Sequence, residues 1–138
     1  MKLLVLVALL RVALASASAA GAARVPGYAG CRAFTTPRPK LVVRPRSLVL
    51  ACADANFYAT GIRWTTWKAS SATGSGTAHV NDCDPYCAAG HFRTYRIALR
   101  LGVPRRCHGR LELTQVTWSF PGRKPAGPRR GSQTFRCA

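Results

Sequence analysis

The chain has 138 residues, of which 21 are Lys or Arg and 4 are Asp or Glu, for a formal net charge of +17. Hydrophobic residues make up 48% and charged residues 18%, ordinary globular usage that excludes a disordered polybasic tail and predicts one folded domain. The long apolar run, Leu3 to Leu10, is broken by Arg11 well short of the ~18 residues that a membrane-spanning helix needs, so no transmembrane segment is expected.

In chain order, Met1 and Lys2, the apolar run and the small residues Ala15 to Ala19 have the layout of a secretory signal peptide over residues 1–19, with A-x-A cleavage options after Ala17 or Ala19. Without Lys2 and Arg11 the remainder keeps 19 basic against 4 acidic residues, a net charge of +15. Residues 20–40, rich in Gly, Ala, Pro, Thr and Arg without periodicity, read as an extended N-terminal segment pinned at Cys31. Tyr28 to Cys31 loosely resembles a lipid-attachment signal, but Arg24 and Pro26 separate it from the apolar run.

Residues 41–138 read as the folded domain. Short β-branched and aromatic runs separated by Gly, Pro, Ser, Asn and Asp predict an all-β, single antiparallel β-sandwich, immunoglobulin-like, of six or seven strands. The expected strands are Leu41–Val43, Leu48–Cys52, Phe57–Trp67, Thr77–Val80, Phe92–Leu101, Leu111–Phe120 and Gln133–Cys137, with Gly74, Ser75 and Gly76 as a turn. In Phe92–Leu101 the residues Tyr95, Ile97, Leu99 and Leu101 share one face while Arg96, Ala98 and Arg100 share the other. The apolar phase of Leu111–Phe120 switches from odd to even positions, which predicts a β-bulge near Thr114 or Gln115. Phe120 to Gly131, with its prolines, glycines and basic residues, reads as an exposed loop.

The six cysteines, Cys31, Cys52, Cys83, Cys87, Cys107 and Cys137, follow a secretion signal in even number and read as a three-bridge framework. Fifteen pairings are open. Cys107 with Cys137 and Cys31 with Cys52 bracket strand regions, and Cys83 either pairs locally with Cys87 or exchanges with Cys52.

The stretches LVLACADAN at 48–56, IRWTTWKAS at 62–70 and NDCDPYCAAGHF at 81–92 resemble a family of small secreted actinomycete proteins of unknown function. The matching positions are Cys52, Asp54, Asn56, Trp64, Trp67, Asn81, Asp82, Cys83, Pro85, Cys87 and Gly90. The resemblance spans roughly residues 45–103. It implies an exported single-domain protein and supplies no catalytic residue or ligand to carry over.

Several side chains invite chemistry. His79, Asp82, Cys83, Asp84, Cys87 and His91 hold enough donors for zinc, but in an exported chain oxidation of the two cysteines competes with coordination. Asp54, Asp82 or Asp84 with His79 or His91 are the residues a small secreted hydrolase would use, and Glu112 is the remaining acid. Their alternative role is turn formation by side chains that bond nearby backbone N–H groups. Trp64 and Trp67, three apart, face opposite sides of a regular strand unless a bulge turns both inward.

The strongest functional signal is charge. Arg outnumbers Lys by 17 to 4, and the guanidinium fork bonds phosphate and carboxylate bidentately. Arg93, Arg96, Arg100, Arg105, Arg106 and Arg110, with Arg123, Lys124, Arg129 and Arg130 of the loop, form one cationic surface if their strands are neighbours. The sequence therefore predicts a secreted, non-enzymatic protein without metal or cofactor. Its expected partner is an anionic cell-envelope polymer or an acidic protein rather than a nucleic acid.

Overall fold

The computed structural model describes residues 25–28, 30–31 and 40–137. The expected signal peptide and most of the segment 20–40 lie outside them. The described residues are all-β, with strands β1 (Leu48–Val49), β2 (Phe57–Trp67), β3 (Ala72–Asn81), β4 (Phe92–Cys107), β5 (Arg110–Ser119) and β6 (Arg130–Thr134). Among them no helix is long and apolar enough to cross a membrane.

All six strands belong to one antiparallel sheet in sequential order, β1-β2-β3-β4-β5-β6. Among the described residues this meander replaces the two stacked sheets of the expected immunoglobulin-like sandwich. The sheet curls until its inner face closes on itself: the Phe57 ring of β2 meets the Trp118 ring of β5 edge-on at 5.3 Å, although two strands lie between them.

Composition explains the curl. Across the β3–β4 ladder Ala72, Gly74, Gly76 and Ala78 stand opposite Leu101, Leu99, Ile97 and Tyr95. One strand thus offers almost no side chain to the interior while its neighbour fills it. Gly74 and Gly76 are not a turn, contrary to the expectation from Gly-Ser-Gly. They lie in mid-strand because the β2 backbone presses against them: a Cβ on Gly74 would lie 2.7 Å from the Arg63 carbonyl oxygen, and one on Gly76 2.7 Å from that of Thr60. The chain instead reverses at Lys68–Ser71, closed by the Lys68 N–H donating to the Ser71 carbonyl at 2.8 Å.

The core gathers Leu48, Leu50, Ala59, Ile62, Ile97, Leu99, Leu101, Leu113, Val116, Phe120, Phe135 and Tyr28. Each fully buried Leu, Ile or Val side chain contributes about 1.5–3 kcal/mol over exposure. Two register shifts in β2, between Thr60 and Arg63 and between Trp64 and Thr66, each add a residue to that strand. Gly61, with φ of 60°, supplies the left-handed residue of the first. The second sets Trp64 opposite Gly74 and Trp67 opposite Ala72, so both indoles turn inward. They meet edge-on at 4.9 Å and donate their N–H groups to the Pro45 and Pro26 carbonyls.

The bulge expected in β5 is absent. The β4–β5 register is constant from Ala98↔Ser119 to Cys107↔Arg110. The irregularity sits across the ladder at Val103, whose φ of 53° breaks the pairing while the Thr114 hydroxyl donates to its carbonyl at 2.8 Å. The switch in apolar phase has another cause. Glu112, Leu113 and Thr114 are all buried, so β5 is covered on both faces where a clasp docks.

That clasp is the segment Val25–Tyr28. The Gly27 N–H donates to the Leu111 carbonyl and its own carbonyl accepts from Leu113 N–H, both at 2.9 Å. Tyr28 pairs with Val42, the one bridge formed in the expected strand Leu41–Val43. Its ring packs edge-on against Phe135 at 5.4 Å. Burial pushes the Tyr28 hydroxyl pKa upward, so it stays neutral.

Three disulfides join Cys31 to Cys52, Cys83 to Cys87 and Cys107 to Cys137. They tie the clasp segment to the turn after β1, staple the β3–β4 connection, and fasten the end of β4 to the chain after β6.

Candidate anion-binding site

Strand alternation and register fix which side chains share the outer, convex face of the sheet. One row across the strands reads Thr66, Thr73, Arg100, Thr117 and Ser132; the next reads Arg63, Ser75, Ala98, Ser119 and Arg130. A third holds Thr60, Thr77 and Arg96. Arginine, hydroxyl and small residues make up these rows. None of the four acidic residues joins them: Asp54 follows β1, Asp82 and Asp84 lie between β3 and β4, and Glu112 is buried.

Among the described residues Arg63, Arg96, Arg100 and Arg130 have no hydrogen-bond or ion-pair partner for their guanidinium groups. In the middle of the face three consecutive residues from each of three strands, 98–100, 117–119 and 130–132, line a shallow groove of about 480 Å³. Its floor is low because Ala98 and Ser119 stand side by side in one row.

The ten basic residues predicted for one surface divide by location. Arg96, Arg100 and Arg130 come together on the outer face. Arg93, of opposite parity, turns to the inner rim and bonds Asp82 at 3.2 Å. The loop residues spend their donors on the loop itself. Arg129 donates to the Phe120 and Gly122 carbonyls at 2.7 Å, and Lys124 to those of Pro125 and Gly127. The Arg123 guanidinium lies 5.9 Å from the Tyr95 ring centroid, in cation–π range. Arg105, Arg106 and Arg110 flank the far β4–β5 turn, where Arg110 lines an apolar cleft with Leu41 and Leu111. Arg63, which periodicity alone does not place, joins the outer face because the Gly61 bulge resets the phase of β2. The glycine inside a strand of aromatic and β-branched residues was its only sequence signal.

The residues considered for hydrolysis or zinc are occupied otherwise. Asp54 accepts from the Asn56 backbone N–H at 3.1 Å and from its side-chain amide at 2.7 Å, which hold its carboxyl below the usual range. The Asn56 side chain in turn accepts from Asn81 at 2.8 Å, and Asn81 also donates to the Cys87 carbonyl and accepts from Cys83 N–H. The Asp82 carboxylate accepts from His91 N–H at 2.7 Å, the main cause of its lowered pKa, with Asp84 N–H and Arg93 adding to it. His79 lies on the outer face, stacked on Tyr58 at 4.6 Å and bonded to the Thr60 hydroxyl. Of these acids and histidines only Asp82 lines the small cleft of about 130 Å³ beside Arg93 and Tyr95.

Cys83 and Cys87 are bonded to each other, so neither offers a thiolate. The same holds for Cys107 and Cys137, whose sulfurs lie near the Glu112 carboxylate. The Asp-x-Asn and Asn-Asp-Cys motifs thus knot the turn after β1 to the β3–β4 connection. Their chemistry is backbone capping.

Compared with known proteins, the chain matches no family model, no curated protein and no solved structure.

Proposed function

We propose that the protein is a secreted, non-enzymatic binding protein that holds anionic envelope polymers, or an acidic partner, on the outer face of its sheet. One observation carries this reading: Arg63, Arg96, Arg100 and Arg130 share a face that has hydroxyl neighbours and no carboxylate. Fixed cations without internal partners raise the local concentration of a polyanion and bond its acid groups directly. The export signal read at residues 1–19 and the three disulfides support an extracellular address.

The test separates this face from net charge. A variant with Arg63, Arg96, Arg100 and Arg130 all changed to Gln is compared with one carrying Gln at Arg44, Arg46, Arg105 and Arg106, which has the same charge. Retention on immobilised dextran sulfate is measured against salt. The face variant is expected to elute at much lower salt than the control variant, because exposed charges act only within a Debye length of about 8 Å at physiological ionic strength. Equal losses in the two variants would show that charge alone, and no particular face, drives attachment.

A further inference from the structure

We infer that the groove between Arg100 and Arg130 is a subsite for a phosphate group, so that the polymer held on the outer face is a phosphate-linked chain. This rests on the polyanion reading above and narrows it.

The positions form a small grid. Arg100, Thr117 and Ser132 stand side by side on β4, β5 and β6, and Ala98, Ser119 and Arg130 form the adjoining row. The two arginines occupy opposite corners. With strands about 4.8 Å apart and same-face residues about 6.8 Å apart along a strand, their Cα atoms are separated by about 12 Å, a gap that two extended arginine side chains span. Between the corners lie hydroxyls. The Ser119 and Ser132 side chains bond no described residue, and Thr117 makes only a long 3.4 Å bond to the Arg100 carbonyl. Ala98 keeps the fourth corner open.

An anion seated there meets guanidinium donors from two opposing sides and hydroxyl donors from the sheet below. That arrangement matches the oxygens of a tetrahedral phosphate, which point in different directions. A carboxylate presents two oxygens in one plane and is satisfied by a single bidentate arginine, leaving the opposite arginine and the hydroxyls unused. Trp118 also lines the groove, but it belongs to the inward parity of β5 and packs edge-on against Phe57, and the outward rows hold no aromatic side chain on which bases could stack. The fit is therefore to a phosphate chain without bases.

The experiment uses the full oxidised chain and three probes of matched charge: polyphosphate, polyglutamate and a single-stranded DNA oligonucleotide, titrated calorimetrically at 0.1 M salt. Polyphosphate is expected to bind about tenfold tighter than polyglutamate and tighter than the DNA. Ala98→Leu fills the open corner without altering any charge and is expected to bring polyphosphate down to the polyglutamate value. Arg100→Lys keeps the charge but loses the fork, and is expected to do the same should the leucine disturb the strand. Equal binding of polyphosphate and polyglutamate by the unaltered chain overturns the subsite and leaves the polyanion reading intact. Tighter binding of DNA than of polyphosphate overturns it in favour of a nucleic-acid surface. Binding of none of the probes overturns both readings.

Discussion

Removing the Cys107–Cys137 bridge by changing both residues to Ala is expected to cost far more stability than removing Cys83–Cys87 in the same way. The bridges close segments of very different length, with sequence separations of 30 and 4. Cross-linking removes denatured-state entropy as the logarithm of loop length, which gives about 3.7 kcal/mol for the long loop and about 2 kcal/mol for the short one at 25 °C. Packing acts in the same direction, because Cys107 is buried whereas Cys87 is exposed. At about 4 °C per kcal/mol for a domain of this size, the losses in Tm are about 15 °C and about 8 °C. Differential scanning calorimetry of the two double variants at neutral pH reads both numbers. A short-loop variant that melts at or below the temperature of the long-loop variant would refute the loop-length reasoning.

Two other perturbations follow from buried or capped polar groups. Trp67→Phe leaves the fully buried Pro26 carbonyl without its donor and is expected to cost about 1–3 kcal/mol in urea denaturation. Trp64→Phe frees the carbonyl of Pro45, a residue that is only half-buried, and should cost less; equal costs would contradict the assignment of the clasp. Asp82 and Asp54 have depressed pKa values in the folded chain. The stability they contribute is present above the unfolded value of about 3.9 and disappears as pH falls through the folded value. Asp82→Asn is therefore expected to lower Tm at pH 7 and to flatten its decline below pH 4, whereas a parallel Tm-against-pH curve would rule out that role.

Much of the sheet was legible because its strands alternate. Phe57–Trp67 has the bounds that its aromatic and β-branched composition predicts, and β4 begins at Phe92 with Ile97, Leu99 and Leu101 inward as their period demands. The cysteine pairs that bracket strand regions are the pairs that form. What escaped was written in small residues. The alternation of β3 is carried by Ala and Gly against Thr, Ser and His, and this pattern resembles a turn when hydrophobicity is the guide. The sandwich was expected because short apolar strands suit either one curled sheet or two flat ones. Only the close approach of β2, with Ile62 and Trp64 against the glycines of β3, decides between them. On the outer face, parity alone placed Arg96 and Arg100 together. Arg93 carries the same charge at the wrong parity, and Arg63 needed a bulge whose register is set by a partner strand.

The clasp has a consequence for the order in which the molecule assembles. Each strand of the meander pairs with its neighbour in sequence, so successive hairpins form as soon as both arms exist, over short loops and on a microsecond scale. Gly27 and Tyr28 precede all six strands, yet three of the partners they dock on, Leu111, Leu113 and Phe135, are among the last to be made. The N-terminal arm can pair early with Val42, but its docking on β5 must wait until nearly the whole chain has arrived. Closure of the interior is therefore a late event, and a chain shortened before Phe135 would keep its hairpins while leaving the Tyr28 ring without its aromatic partner.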